Sequence, residues 1–449
     1  MLFCSEAFIF GFLPVFLVIY YLVPARARNL VLFLGSLWFY FTGEKVWFFL
    51  LLVSLALHYF LTRQMKGRMD KARRGLLAVM LVYDFTTLFF FKNVNFLFPE
   101  CKISLPLGIS FYTFQIAAYA IDVYRRPEEY TGSFINLGTY LTMFPQLIAG
   151  PIVLYGDVKR QLKKRKVDLA GLETGLMVFV LGLSYKMLIA NILGNLWHEI
   201  QVVGVESISM PMAWLGALAY SLQLYFDFNG YSLMAMGLGA ILGFQLPRNF
   251  RQPYMAVSVT DFWRRWHITL STWFREYLYI PLGGNRKGTG RTMFNLFVVW
   301  VFTGMWHGAG WNFLLWGIYY FVFLAAEKLF LGKFWEKHAV LGWVYTMLVA
   351  VIGWVIFSVE KLSDIGIYLG KMFVWSPEWN SNPAVTVSAL TRYGIFFAAA
   401  AVCSTCLVEN IFRKYRDRLW LKGALLVLFW VCVYRIHTAA SNPFLYFRF

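Results

Sequence analysis

The chain has 449 residues, of which 59% are hydrophobic and 14% charged, and its formal net charge is +18. A soluble chain of this length would form about three domains, but this much apolar surface is typical of a protein whose solvent is mostly lipid. The lysines and arginines fall in short clusters between apolar runs, as in the cytoplasmic loops of membrane proteins. We therefore do not expect the positive charge to bind nucleic acid.

Apolar runs long enough to cross a bilayer, about 17–25 residues, recur along the whole chain. They lie near residues 5–23, 45–62, 75–97, 104–122, 170–194, 211–228, 296–327, 339–357, 393–409 and 420–437. Shorter or interrupted runs near 29–42, 134–155, 231–246 and 364–375 are predicted to be re-entrant or interfacial. The pattern predicts an all-α polytopic integral membrane protein with about 10–12 transmembrane helices, plus re-entrant and interfacial helices around a central tunnel.

The basic clusters orient the chain. Those at residues 63–74, 159–166, 248–291, 328–337 and 413–422 should be cytoplasmic. This puts the N-terminus outside, makes the stretch through Pro145 and Gly150 dip in and return, and leaves residues 438–449 as an extracytoplasmic tail. The first apolar run lacks a basic n-region and is expected to be an uncleaved span. The five cysteines, Cys403 and Cys406 among them, suggest neither a disulfide framework nor a metal site.

Six histidines are the main candidates for chemistry, and four of them have bland settings. An interfacial or solvated position is expected for His58, His198, His338 and His437. His267 follows Ser258 and Asp261, whose spacing predicts a helix start. Helical periodicity then puts its imidazole on one inward face with four apolar side chains, Trp263, Trp266, Leu270 and Phe274.

Arg264 and Arg265 fall on other faces of the same predicted helix, near lipid phosphates or an anionic substrate. His307 lies inside an apolar run of some twenty residues, where an ionisable side chain suggests function. Packing with a satisfied hydrogen bond is the alternative for both histidines. Asp227 and Asn229, where one span is predicted to end beside a re-entrant run, could orient an imidazole or a substrate, or simply satisfy the broken helix.

Five ordered blocks of sequence resemble the membrane-bound O-acyltransferases, and within them the branch that includes the membrane subunit of bacterial alginate O-acetylation. The blocks are Tyr225-Phe-Asp-Phe-Asn-Gly-Tyr-Ser232, Asn249-Phe-Arg-Gln-Pro-Tyr254, Asp261-Phe-Trp-Arg-Arg-Trp-His267, Tyr279-Ile-Pro-Leu-Gly-Gly-Asn-Arg286 and Met305-Trp-His-Gly308. The resemblance runs from the first span to the C-terminus. It implies one transmembrane domain over residues 1–449, with a catalytic core at about 104–327.

The resemblance also implies an activity and its residues. His307 matches the family's catalytic histidine and His267 its second histidine, while Asp227, Asn229, Trp306, Asn312, Arg264 and Arg265 are candidates for binding or orienting substrate. The implied donor is cytoplasmic acetyl-CoA, with no bound cofactor and no metal, and the implied base is a histidine that accepts a hydroxyl proton. No Ser-His-Asp arrangement is present, so direct transfer is favoured over an acyl-serine on this chain, with an acyl-histidine intermediate left open.

The implied acceptor is an exported polysaccharide or cell-envelope glycan, reached with an extracytoplasmic SGNH-type acetyltransferase or esterase-like partner at the bacterial inner membrane. Leu233 after Ser232, and Asn229 where a serine is common, depart from the alginate-type pattern and put alginate itself in doubt. Tyr446 resembles the tyrosine of a C-terminal aromatic element proposed to carry the acyl group. Its alternative is an interfacial anchor.

Two other functions remain open at this point. A channel or flippase for a glycan or lipid could line its path with the same histidines, although the sequence shows no internal repeat. An O-acyltransferase acting on a lipid or a protein would carry the same residues.

Overall fold

The computed structural model describes residues 2–148, 150–377, 383–438 and 445, and these residues form helices and loops without a β-strand. In chain order the helices are α1 Ala7–Leu22, α2 Arg28–Gly43, α3 Phe48–Met65, α4 Asp70–Leu97, α5 Ile109–Arg125, α6 Phe134–Thr142, α7 Phe144–Leu147, α8 Tyr155–Lys163, α9 Leu169–Val203, α10 Met210–Ile241, α11 Val259–Arg265, α12 Ile268–Phe274, α13 Gly288–His307, α14 Trp311–Leu331, α15 Gly332–Lys337, α16 Ala339–Ser358, α17 Leu362–Phe373, α18 Pro383–Cys403, α19 Leu407–Tyr415 and α20 Leu419–Thr438.

Seven helices of the described part are long and apolar enough to cross a membrane: α3, α4, α9, α14, α16, α18 and α20. Helix α1 is a shorter apolar helix, and α10 and α13, with 32 and 20 residues, have the length without belonging to this group. The predicted class, an all-α polytopic membrane protein, is confirmed. The central tunnel and the membrane orientation stay predictions.

The spans differ in how much of their surface the protein itself covers. In the most apolar 18-residue stretch of α9 and of α16, 67% and 56% is buried inside the protein, whereas in α18 and α20 the share is 17%. Side chains such as Leu426 and Trp430 on α20 are exposed. Large exposed apolar side chains on a spanning helix are expected where lipid is the solvent.

Packing divides the described residues into two compact units. The first contains residues 2–183, Tyr231–Arg248 and the end of α20 from Val433. The second contains Ser184–Gly230 and the chain from Asn249 to Cys432, and it holds both candidate histidines. That the whole chain is one catalytic domain stays a prediction.

Two predicted boundaries are wrong. The predicted break between spans near residues 228–231 is absent, because α10 continues through Asn229, whose amide donates to the Tyr225 hydroxyl one turn back at 3.3 Å. The predicted run at 296–327 is instead two helices, α13 and α14, separated at Gly308–Gly310. Hydropathy measures only how apolar a segment is, so it does not predict where a helix continues or ends within an apolar run.

The expectation for His58 is also wrong. Its side chain is fully buried, and its Nε2 lies 3.0 Å from an Asp84 carboxylate oxygen on α4. Its Nδ1 lies 2.8 Å from the Ser54 carbonyl, which only accepts, so Nδ1 donates there. The pair therefore shares one further proton and ties α3 to α4. His198, His338 and His437 are exposed, as expected.

Candidate active site

The site begins with a short helix, α11, whose N-terminal end is held by two side chains. The Ser258 side chain accepts a hydrogen bond from the Asp261 amide at 3.0 Å, which confirms the predicted start of α11. The buried Glu327 carboxylate of α14 accepts from the Val259 and Thr260 amides at 2.6 and 2.8 Å. A carboxylate at a helix N-terminus also complements the helix dipole, so α11 is fixed where it enters the site.

The predicted continuous helix through His267 is wrong, because α11 ends at Arg265. His267 has left-handed backbone dihedrals, φ 44° and ψ 53°, and directly precedes α12. The Asn249 carbonyl accepts from the Ile268 amide at 2.9 Å and so stabilises this turn. A non-glycine residue held in this region is uncommon and often functional. The inward direction of the imidazole is nevertheless as predicted, since the side chain is 1% exposed.

Asn249 also determines which nitrogen of His267 carries the proton. Its Oδ1 accepts from the Thr269 hydroxyl at 2.6 Å and from the Thr269 amide at 3.3 Å, which identifies this atom as the oxygen. The same oxygen lies 3.2 Å from His267 Nδ1. Because the oxygen cannot donate, Nδ1 carries the hydrogen, and in the neutral ring Nε2 bears the lone pair.

The rest of the His267 environment is aromatic. The Phe228 ring of α10 packs against the imidazole edge-on, with ring centroids 4.7 Å apart, and the Trp306 ring lies 6.1 Å away. Burial lowers the pKa of His267 to about 3, because the positive form loses its hydration. The imidazole is therefore neutral at physiological pH and presents an accepting nitrogen.

His307 is the last residue of α13 and is 5% exposed. Its imidazole lies among three rings, with centroids 4.9 Å from Trp306, 5.0 Å from Trp316 and 5.0 Å from Phe357. It is thus held at a helix end inside the second unit. The sequence predicted an interior position in a long span, and the helix break places it at a terminus instead.

The break after His307 follows from close packing of α13 on α14. A Cβ at Gly304 would meet the Phe313 carbonyl oxygen, and a Cβ at Gly317 would meet the Trp300 carbonyl oxygen. The two helices therefore approach through their backbones, as small residues allow in membranes. A Cβ at Gly308 would also meet the Phe313 ring, so a side chain at this position would require that ring to move.

Trp306 brings the two histidines into one site. Its ring centroid lies 4.9 Å from that of His307 in the same helix and 6.1 Å from that of His267. Asn312 is 1% exposed and donates to the Phe357 carbonyl at 2.9 Å, which fixes the end of α16. The ring of Phe357 packs on His307. Both residues line or support the candidate site, and their contact with a substrate stays a prediction.

The other candidates have protein partners. Asp227 is buried, and one of its carboxylate oxygens lies 2.5 Å from the Lys186 ammonium. That it orients an imidazole or a substrate stays a prediction. Arg265 donates to both carboxylate oxygens of Asp261 at 2.9 Å, and Arg264 is exposed. Tyr446 lies outside the described residues. No three metal-ligating side chains come together anywhere in the described ranges.

Three residues of the site were missed by sequence reasoning: Asn249, Glu327 and Lys186. Asn249 stood inside a recognised block, but its polar partners come 18 and 20 residues later. Glu327 and Lys186 are charged residues within apolar runs, which is itself a mark of function at membrane depth.

Helices long enough to span a membrane, together with two buried histidines near one tryptophan, define a polytopic membrane protein with a candidate site around His267 and His307. The model of the MBOAT, membrane-bound O-acyltransferase, family matches residues 123–363, and this chain belongs to that family. It is therefore a multi-pass membrane acyltransferase.

Its relatives include three proteins named for envelope chemistry. It is 36% identical to the probable alginate O-acetylase AlgI of Pseudomonas putida, with all of both chains covered. It is 41% identical to the protein of the same name from Pseudomonas aeruginosa, over 81% of this chain and 73% of the relative. It is 34% identical to the peptidoglycan O-acetyltransferase of Helicobacter pylori, over 81% of this chain and 78% of the relative.

Proposed function

We propose that this protein transfers an acetyl group from cytoplasmic acetyl-CoA to a hydroxyl of an exported polysaccharide or cell-envelope glycan, at the bacterial inner membrane. The names of the alginate and peptidoglycan relatives support the acceptor class. The observation that carries the chemistry is the pair of buried imidazoles, His267 and His307, which both lie close to the Trp306 ring.

His307 serves as the general base. As the acceptor oxygen attacks the thioester carbonyl, His307 takes the hydroxyl proton, and the proton then leaves with the CoA thiolate. His307 ends α13, and a helix C-terminus favours a positive charge by about 0.3–2 kcal/mol. The transient imidazolium therefore forms at a favourable place.

His267 has the opposite setting. It stands at the N-terminal end of α12, where the helix dipole disfavours a positive ring. Because Asn249 keeps the hydrogen of His267 on Nδ1, the lone pair of the imidazole is on Nε2. We assign it the role of hydrogen-bond acceptor for a second hydroxyl of the acceptor glycan, so that the single proton of the attacking hydroxyl passes to His307. Transfer to Tyr446 before the glycan, and hand-over to an SGNH-type partner outside the membrane, complete the proposal.

Purified protein with labelled acetyl-CoA tests the proposal. The wild type should release free CoA, and His307→Ala should lower that rate about 100-fold or more, in the range expected for loss of an acid–base catalyst. His338→Ala is the matched control, because His338 is exposed in the loop before α16. Thioester consumption that is undetectable in the wild type, or unchanged in His307→Ala, would argue for a transport function instead.

The acceptor requires a cellular experiment. Mild base releases O-acetyl groups from the envelope glycan, and their amount should fall in cells that carry His307→Ala. Tyr446→Phe keeps the aromatic ring and removes the hydroxyl, so unchanged glycan acetylation in that variant would eliminate the relay while leaving direct transfer intact. Acetate found on lipid or protein instead would reassign the acceptor.

A further inference from the structure

A buried ion pair joins α9 to α10 in the second unit. The Lys186 ammonium lies 2.5 Å from an Asp227 carboxylate oxygen, and both side chains are almost fully buried, at 1% and 3% exposure. Lys186 also donates to the Asn191 side-chain oxygen at 3.1 Å. Charged side chains within a candidate span are costly, and replacing such a pair by apolar residues is often neutral for stability. Stability alone therefore does not explain it.

The backbone around Lys186 is specialised. Residues Tyr185–Ala190 form a π-helical turn inside α9, and such turns are frequent at functional sites. Two adjacent residues of this turn contact two adjacent residues of α10. The Tyr185 ring packs on Phe226, with centroids 5.0 Å apart, and Lys186 pairs with Asp227. One apolar and one ionic contact in adjacent positions fix both the height and the rotation of α10.

The next residue of α10 reaches the site. Phe228 packs on His267, and Tyr225, one turn earlier, packs on Trp266 with ring centroids 6.1 Å apart. One residue of a helix corresponds to 100° of rotation. A small rotation of α10 would therefore remove Phe228 from the imidazole and loosen the left-handed turn that carries it.

We propose that Lys186 and Asp227 are positioning residues for the acyl transfer, which act by holding α10 in the rotation that presses Phe228 onto His267. The ion pair is directional, unlike an apolar contact, and so fixes one rotation among several that would bury the same surface. Neither residue touches the substrate in this role.

The double variant Lys186→Met/Asp227→Leu removes both charges and keeps apolar bulk at both positions. The matched control is Arg392→Met/Glu199→Leu, which removes an exposed pair with a similar 3.0 Å contact between α18 and α9. Two readouts are needed on monodisperse purified protein. One is the rate at which diethyl pyrocarbonate modifies His267, followed by peptide mass mapping, and the other is the kinetics of acetyl-CoA consumption.

In the buried-pair variant, modification of His267 should become at least about fivefold faster, and kcat should fall about 100-fold with KM changed less than about threefold, as expected for a misplaced group. The control pair should leave both unchanged. Wild-type values of the modification rate and kcat in the buried-pair variant would overturn the proposal. If that variant does not fold, Asp227→Asn, which keeps the side-chain shape, is measured by the same criteria.

The kinetic readout rests on the proposed function, whereas the modification rate does not. A wild type that consumes no acetyl-CoA would defeat the proposed function, and a His267 modification rate insensitive to the pair would defeat the positioning role. The two failures are therefore distinguishable.

Discussion

Replacing Asn249 by Leu should disable the site through His267 without touching a catalytic atom. The amide oxygen accepts three contacts, from the Thr269 hydroxyl at 2.6 Å, the Thr269 amide at 3.3 Å and His267 Nδ1 at 3.2 Å. A buried donor left without a partner costs about 1–3 kcal/mol. Since two of the three contacts are long, we expect Asn249→Leu to lose about 2–4 kcal/mol of stability in total.

The effect on rate separates positioning from packing. With Nδ1 released, the proton is free to move to Nε2, and the ring can leave its orientation, so kcat/KM should fall about 100-fold. Asn249→Asp retains an accepting oxygen and should keep Nδ1–H in place, but its negative charge favours the imidazolium. This variant should therefore be close to wild type at high pH and lose activity as the pH falls.

The assay is acetyl-CoA consumption between pH 5 and 9, combined with thermal unfolding in detergent. Asn195→Leu, at an exposed position of α9, is the control for an amide lost from the surface. Activity of Asn249→Leu within threefold of the wild type would refute the tautomer argument. So would a pH profile of Asn249→Asp that coincides with that of the wild type.

Three further outcomes follow from the geometry. Glu327→Ala removes a carboxylate that accepts two α11 amides, and it should lower the free energy of unfolding by about 2–3 kcal/mol, while exposed Glu360→Ala should not. Burial lowers the pKa of His267 to about 3, below its value near 6.5 in the unfolded chain. The neutral ring therefore stabilises the fold fully above pH 6.5, and this stabilisation is progressively lost as the pH falls below 6.5. Wild type should accordingly lose about 2 kcal/mol more than His267→Gln between pH 6.5 and 5 in paired thermal melts. Gly317→Ala places a Cβ against the Trp300 carbonyl, so it should force α13 from α14 and abolish acetyl-CoA consumption even where the purified protein stays monodisperse.

Local chemistry was predictable from the sequence wherever it depends on neighbours in the chain. The Ser258 cap and the buried faces of Trp266 and Leu270 required only spacing, and the structure has them as predicted. The left-handed turn at His267 was not predictable, because it rests on the carbonyl and amide of Asn249, 18 residues earlier. A periodic pattern continues across such a turn since both flanking helices bury the same side.

Buried charge shows the same limit. His58 ends an apolar run before a basic loop, which is typical of an interfacial side chain, and only the fold reveals that Asp84 faces it from the next helix. Asp227 is an unusual residue for an apolar run, but nothing in the sequence indicates that Lys186, 41 positions earlier, is its partner. Partners across helices depend on rotation, and rotation is a property of packing.

A glycine in a membrane helix does not by itself show where that helix ends. Gly230 leaves α10 continuous, whereas Gly308 ends α13, and glycine is common in membrane helices of both kinds. The difference is that α13 and α14 meet backbone to backbone, so the chain must reverse immediately after His307. That reversal places the His307 imidazole at the C-terminal end of α13, where the helix dipole carries partial negative charge. The proposed role of His307 as base therefore depends on a helix break that composition does not show. A substitution that allowed α13 to continue past Gly308 should lower the rate of acetyl-CoA consumption although His307 itself is unchanged.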